Sequence, residues 1–152
     1  MKFYHILITQ FNLRNFPKYS NASKEEWLDW TRNRIILFQK YCLPSVLNQS
    51  TKNFKWLIYF DTATPLEFSR FISQLTKHDF IEVHYCDGTE DFFKNYTQQT
   101  VQALPRDCRW MITSRLDNDD ILHRDAVKTI QGNFVAKHFF IVSLASGYVF
   151  DI

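Results

Sequence analysis

The run Ile112-Thr113-Ser114-Arg115-Leu116-Asp117-Asn118-Asp119-Asp120 passes from apolar and β-branched side chains into three carboxylates within four positions. Asp117 and Asp119 place hard oxygen donors two residues apart, a spacing suited to Mg2+ or Mn2+ whose remaining coordination comes from water and substrate phosphates. Side chains alternate faces on a strand, so Arg115 and Asp117 can project to one side while Leu116 packs on the other, presenting a cation and a carboxylate to one ligand. Helix capping competes with this reading, because Asp119 or Asp120 at a helix start meets exposed N–H groups and the positive dipole end. One Asp suffices for that. Three ionised neighbours repel one another unless a cation or solvent offsets them, which favours metal-dependent phosphate binding. A calcium loop fits poorly, since the glycine and the distant Glu of an EF-hand are missing, and a phosphatase with Asp117 as nucleophile is left with little chain for its other parts.

Phosphate binding would have to proceed without a glycine cradle. The only glycines are Gly88, Gly132 and Gly147, which excludes both GxGxxG and GxxxxGK[ST]. With 152 residues, 45% of them hydrophobic and 17% aromatic, the chain can bury one sizeable core, so a single domain over 1–152 is expected. Eighteen Lys and Arg against sixteen Asp and Glu give a net charge of +2, far from the basic footprint of a nucleic-acid binder. Cys42, Cys86 and Cys108 show neither a disulfide pattern nor zinc-ligand spacing, which suits a reducing cytoplasm. The opening MKFYHILITQFNL has no small-residue cleavage site, and no segment approaches the length of a membrane span.

These residues need a scaffold, and the sequence supplies alternating strands and helices. FYHILITQF, from Phe3 to Phe11, reads as a buried strand, followed by a polar loop from Asn12 to Ser20. Ser23 and Glu26 form a capping-box pattern before a helix from Lys24 to Tyr41, with Trp27, Trp30, Leu37, Phe38 and Tyr41 on one stripe and Pro44 ending or redirecting it. A strand from Lys55 to Phe60 stops at Asp61. Pro65 then opens a helix to Lys77 in which Phe68, Phe71, Ile72 and Leu75 share a face. Strands are expected over Phe80 to Tyr85 and Arg109 to Leu116, helices over Glu90 to Leu104 and His123 to Ala136, and β structure in the tail FFIVSLASGYVF. The alternation argues for an α/β domain with a mostly parallel sheet flanked by helices, whose ligands gather at the carboxyl ends of the strands. Asp61 and Asp117 to Asp120 lie at such ends.

The stretch Pro44 to Pro65, PSVLNQSTKNFKWLIYFDTATP, resembles the family 2 glycosyltransferase signature in which a helix end, an Asn-Gln turn and a strand lead to a nucleoside-binding Asp; ITSRLDNDD resembles the metal-binding DxD strand of the same enzymes. Taken together, HILITQFNLR, WLDWTRNRIILFQKYCLPS and RLDNDD resemble the putative rhamnosyltransferase family, which implies a GT-A-like (Rossmann-like) fold. The resemblance implies a nucleotide-diphospho-sugar donor, with dTDP-rhamnose a candidate, a saccharide acceptor, and Mg2+ or Mn2+ as cofactor. It places Thr9, Gln10 and Phe11 against the nucleoside, Asp61 on the base, Asp119 on the metal, and Asp117 near the ribose and metal waters. Arg115 is added by strand parity as an anion contact.

Beside these stand plainer readings: Asp61 as a turn residue in place of a base contact, Arg14 as a solvated loop cation in preference to a phosphate contact, Trp27 and Trp30 as core packing, His123 as a helix-start residue. Two departures from the family pattern stand out. The glycine- and arginine-containing segment that many family 2 enzymes carry after the third strand is missing, leaving the donor-sugar contacts unplaced. The general base of inverting GT-A enzymes usually lies well downstream of the DxD, and here only Asp151 follows at a distance. The expectation is a donor-binding domain without the acceptor-binding part, binding nucleotide and metal with negligible transfer. A non-catalytic nucleotide-sugar or carbohydrate-binding module is the competing class, and a phosphatase-like hydrolase comes third.

Overall fold

The computed structural model describes residues 3–14, 23–144 and 146–149. Asp151 and most of the loop around Pro17 lie outside the described residues. Four strands, β1 (Phe3–Gln10), β2 (Lys55–Asp61), β3 (Ile81–Cys86) and β4 (Trp110–Arg115), form one sheet in the order β3-β2-β1-β4, with every pairing parallel. The connecting helices are α1 (Lys24–Leu37), α2 (Leu43–Leu47), α3 (Ser69–Leu75), α4 (Gly88–Gln102) and α5 (Ala126–Gly132). The expected α/β, Rossmann-like and GT-A-like architecture is the one formed.

Parallel strands need crossover helices, and those helices bury both faces of the sheet. The central strand β2 shows the result: Trp56 to Asp61 are buried without interruption. On one face Leu7, Phe11, Trp56, Ile58 and Phe60 pack against Phe38, Val46, Phe71 and Leu75 of the α1, α2 and α3 layer and against Val127 of α5. On the other face Ile6, Ile8, Leu57 and Tyr59 pack against Phe92 of α4, with Tyr96 at the margin. The central strands β1 and β2 therefore read as nearly continuous apolar runs in the sequence, while the edge strands β3 and β4 are half-exposed.

The helix of residues 24–41 needs a finer description. Its N-terminus carries the full capping box, Ser23 Oγ accepting from Glu26 N–H at 3.2 Å and Glu26 accepting from Ser23 N–H at 2.7 Å. Its buried stripe runs through Leu28, Thr31, Ile35 and Phe38, whereas Trp27 and Trp30 lie half-buried at its margin. Pro44 does not stop the helical path. Proline has no N–H for the carbonyl four residues back and its ring crowds that carbonyl. A π-helical turn over Phe38–Cys42, with Leu43 N–H bonded to Phe38 O, accommodates it, and α2 continues to Leu47.

The tail corrects an expectation. Residues 139–144 and 146–149 form no strand, and Phe139, Ile141, Tyr148 and Val149 are strongly exposed. β propensity expresses fit to a pleated, half-buried surface, and the described tail residues have neither a paired neighbour nor a face to bury.

Candidate functional site

The strand order reverses at β1, which sends its first crossover to β2 on one side and later receives β4 on the other. Crossovers that diverge in this way leave a crevice at the carboxyl ends of the two strands, here β1 and β4. The acidic run leaves β4 at that point. Leu116 N–H donates to Ile8 O at 2.9 Å, Thr9 Oγ1 donates to Leu116 O at 2.8 Å, and Asn118 Nδ2 donates to Phe11 O at 2.6 Å. Leu116 and Asn118 are buried while Asp117 and Asp119 between and beyond them face outward. Asn118 thus anchors the DxD to the end of β1 and holds both carboxylates at the crevice.

The other wall comes from α1, the π turn and α2. Arg34 Nη1 pairs with Asp119 Oδ2, and the guanidinium carbon lies 5.1 Å from the Trp30 ring centroid. Cys42 Sγ donates to Asp117 O at 3.7 Å. Burial first, then the nearby Asp120 and Asp117 charges, push the Cys42 thiol far up, so it stays protonated and serves as a donor. Ser45 Oγ accepts from Leu122 N–H at 3.1 Å. Gln49, buried at the end of α2, donates to Ser45 O at 3.0 Å and His123 O at 2.8 Å, and accepts from Val127 N–H at 3.0 Å. His123 is exposed, its Nδ1 accepting from Asp125 N–H at 3.2 Å, a helix-start role as expected.

The mutual repulsion of the carboxylates is offset by Arg115, placed beside Asp117 by strand parity, and by Arg34, which the sequence did not disclose. Arg115 Nε lies 3.1 Å from Asp117 Oδ1, and Arg34 holds Asp119. Two guanidinium groups therefore supply positive charge at this loop. Asp117 and Asp119 are still 54% and 40% exposed. Among the described residues no three His, Cys, Asp or Glu side chains converge into a metal cage. Mg2+ does not require one, because it is commonly held by one or two carboxylates with water and substrate phosphates. The donor chemistry of Asp117 and Asp119 fits that usage.

A second polar cluster sits at the ends of β2 and β3. The Asp61 carboxylate is 0% exposed and accepts from Arg14 Nε at 2.8 Å, Arg14 N–H at 2.9 Å and Ala63 N–H at 2.8 Å. Arg14 also reaches Asp87 Oδ1 through Nη2 at 2.6 Å, and its carbonyl accepts from Thr89 N–H and Oγ1, each at 3.0 Å. Arg14 is therefore a bridging cation, not a solvated loop residue. Gly88, at φ 75°, takes a left-handed conformation that glycine adopts without strain, and it opens α4 beside this cluster. The bond from Ala63 N–H makes Asp61 a turn residue as well as an ion-pair partner. Asn12 completes the group, accepting from Asp61 N–H at 3.0 Å and donating to Thr64 Oγ1 at 3.0 Å.

Of the positions expected at the nucleoside, Thr9 and Phe11 lie buried at the carboxyl end of β1. The Thr9 hydroxyl is fully engaged, accepting from Trp56 Nε1 at 2.9 Å as well as donating to Leu116. Phe11 is buried, its ring stacked on Phe60 at 4.6 Å. Gln10 lies on the opposite face of β1, and its buried Oε1 has no hydrogen-bond partner among the described residues. The fold brings Thr9, Gln10, Phe11, Arg115, Asp117 and Asp119 to the adjoining ends of β1 and β4, with Thr9 and Phe11 buried, Gln10 on the other face, and Asp61 one strand away in the Arg14 cluster.

Sequence reading missed Arg14, Arg34, Asn118 and Gln49. Only the Asn-Gln turn of the resemblance pointed at Gln49. Arg34 lies on the same side of its helix as Trp30, four residues earlier, which could have marked it as held in place. Among the described residues no helix is long and apolar enough to cross a membrane. No curated protein gives a significant match to the chain. The family model described as putative rhamnosyl transferase, in contrast, matches residues 18–151. With the parallel sheet and the crevice at its switch point, that coverage of nearly the whole sequence means that the chain belongs to the putative rhamnosyl transferase family.

Proposed function

We propose that this domain binds a nucleotide-diphospho-sugar at the β1/β4 crevice as the donor site of a glycosyltransferase, with Asp117 and Asp119 holding Mg2+ or Mn2+ and dTDP-rhamnose as the donor. One observation carries the reading: Asn118 ties the DxD to Phe11 O at the switch point of the sheet, so both carboxylates sit where ligands gather in such folds. A divalent cation held by Asp117 and Asp119 would supply positive charge to offset that on a departing diphosphate. Arg115 provides a guanidinium beside the same loop for the phosphates. Asp61 fixes Arg14, which is 40% exposed and presents its cation at the neighbouring strand ends. The general base that deprotonates the acceptor hydroxyl is not assigned.

Calorimetric titration of dTDP and UDP into the chain, with Mn2+ and again with excess chelator, tests this. Binding is expected only with metal, and Asp119→Ala is expected to abolish it while the thermal midpoint stays near that of the unsubstituted protein. Equal affinity in chelator would remove the metal from the site.

A further inference from the structure

Asp119 is the carboxylate on which the metal reading most depends, and it is already held by a cation from a different element. Arg34 projects from α1, is only 22% exposed, and keeps its guanidinium over Trp30 while Nη1 pairs with Asp119. We propose that Arg34 is a built-in counterion that competes with the divalent cation for Asp119 and, once displaced, presents its guanidinium to the diphosphate. This rests on Asp119 being a metal ligand.

A divalent cation on Asp119 repels an adjacent guanidinium, so metal and Arg34 cannot share the carboxylate favourably. Displaced Arg34 does not drift away, because the Trp30 ring supports its charge and α1 runs on without a break into the π turn and α2, which are tied to the DxD segment through Cys42 Sγ to Asp117 O, Ser45 to Leu122 and Gln49 to His123 and Val127. A guanidinium freed beside the metal finds the oxygens that arrive with a diphosphate, which its planar fork of donors matches. Arg115 differs in this respect. Its partner Asp117 is two residues away on the same segment and its side chain is 60% exposed, so it is less fixed relative to the opposite wall.

Mn2+ binding to the full chain, followed by electron paramagnetic resonance at low ionic strength, and pyrophosphate binding at saturating Mn2+, followed by calorimetry, separate the possibilities. Arg34→Gln is expected to bind Mn2+ about three- to fivefold more tightly, the scale of one partly exposed ion pair. It is expected to bind pyrophosphate about tenfold more weakly through loss of a charged hydrogen-bond donor. A purely structural role would weaken both together. Arg34→Lys, which retains the charge, is expected to keep Mn2+ affinity within about twofold and still lose pyrophosphate affinity, and it decides the matter should the Gln variant unfold. Unchanged or weaker Mn2+ binding in Arg34→Gln, or unchanged pyrophosphate affinity in both variants, overturns the inference and leaves the metal site standing. Absence of Mn2+ binding in the unsubstituted chain and in both variants removes the metal reading itself, and the inference with it.

Discussion

A carboxylate with no exposure, such as Asp61, survives only if its charge is matched and its oxygens are bonded, because desolvating an ionised group is otherwise costly. Arg14 supplies the charge and two of the three donors, so the pair acts as one unit, and the loop after β1 is fastened to the end of β2 through it. An external donor reaches Asp61 only after Arg14 moves, which makes Arg14 part of whatever the β2 end binds. Arg14→Ala is expected to destabilise the protein by about 2 kcal/mol, discounted from the buried-pair scale because Arg14 is itself 40% exposed. The double variant with Asp61→Asn should lose less than the sum of the two single losses, with a coupling of about 1 kcal/mol in urea unfolding. Coupling near zero would mean that the two residues act separately. In the sequence Asp61 was legible, as a carboxylate at a strand end, but Arg14 was not, because the pairing spans a separation that only the completed sheet closes.

At the level of elements, the strands were legible almost to the residue: β1 and β2 because both faces of the sheet centre are buried, β3 and β4 because β-branched and aromatic residues still dominate their half-exposed runs. The α3 face of Phe71, Ile72 and Leu75 was legible for the analogous helical reason. The passage of the helix through Pro44 was not, since it depends on a π turn rather than on a propensity, and neither was the unpaired tail, whose composition matches that of a strand lacking a partner. What the helix gains by continuing is Gln49, whose three bonds fix the segment that follows the DxD. Gln49→Ala leaves the buried Val127 N–H and the His123 carbonyl without this partner, and the expected loss is about 2 kcal/mol in global stability. Amide exchange should rise selectively over residues 121–129 while β1 and β2 keep their protection. Uniform loss of protection would show that Gln49 supports the whole sheet and not this segment.

For the molecule as a whole, the interior sets a pH limit through one side chain. His5, in the middle of β1, is 0% exposed and lies between β4 and α5: Nε2 is 2.9 Å from Ser114 Oγ and Nδ1 is 3.3 Å from Gln131 Nε2. An amide N–H can only donate, so Nδ1 is the acceptor and the ring proton resides on Nε2, directed at Ser114. A second proton on Nδ1 would oppose the Gln131 donor and place a charge in the core, and burial lowers the His5 pKa from 6.5 to about 4. The unfolded chain therefore takes up a proton through pH 6.5 that the folded chain refuses. The contribution of neutral His5 is complete above pH 6.5 and declines as pH falls, until about pH 4, where the folded form also protonates. The shift corresponds to about 3 kcal/mol, a large part of the 5–15 kcal/mol typical of a domain. Between pH 6 and 4.5 most carboxylates have yet to titrate, so unfolding free energy there should fall by about 1.4 kcal/mol per pH unit once the unfolded His is protonated. His5→Gln retains a donor and an acceptor but cannot titrate, and its stability should stay nearly level over the same interval. Parallel curves for the two proteins in urea unfolding would show that His5 does not set the acid limit.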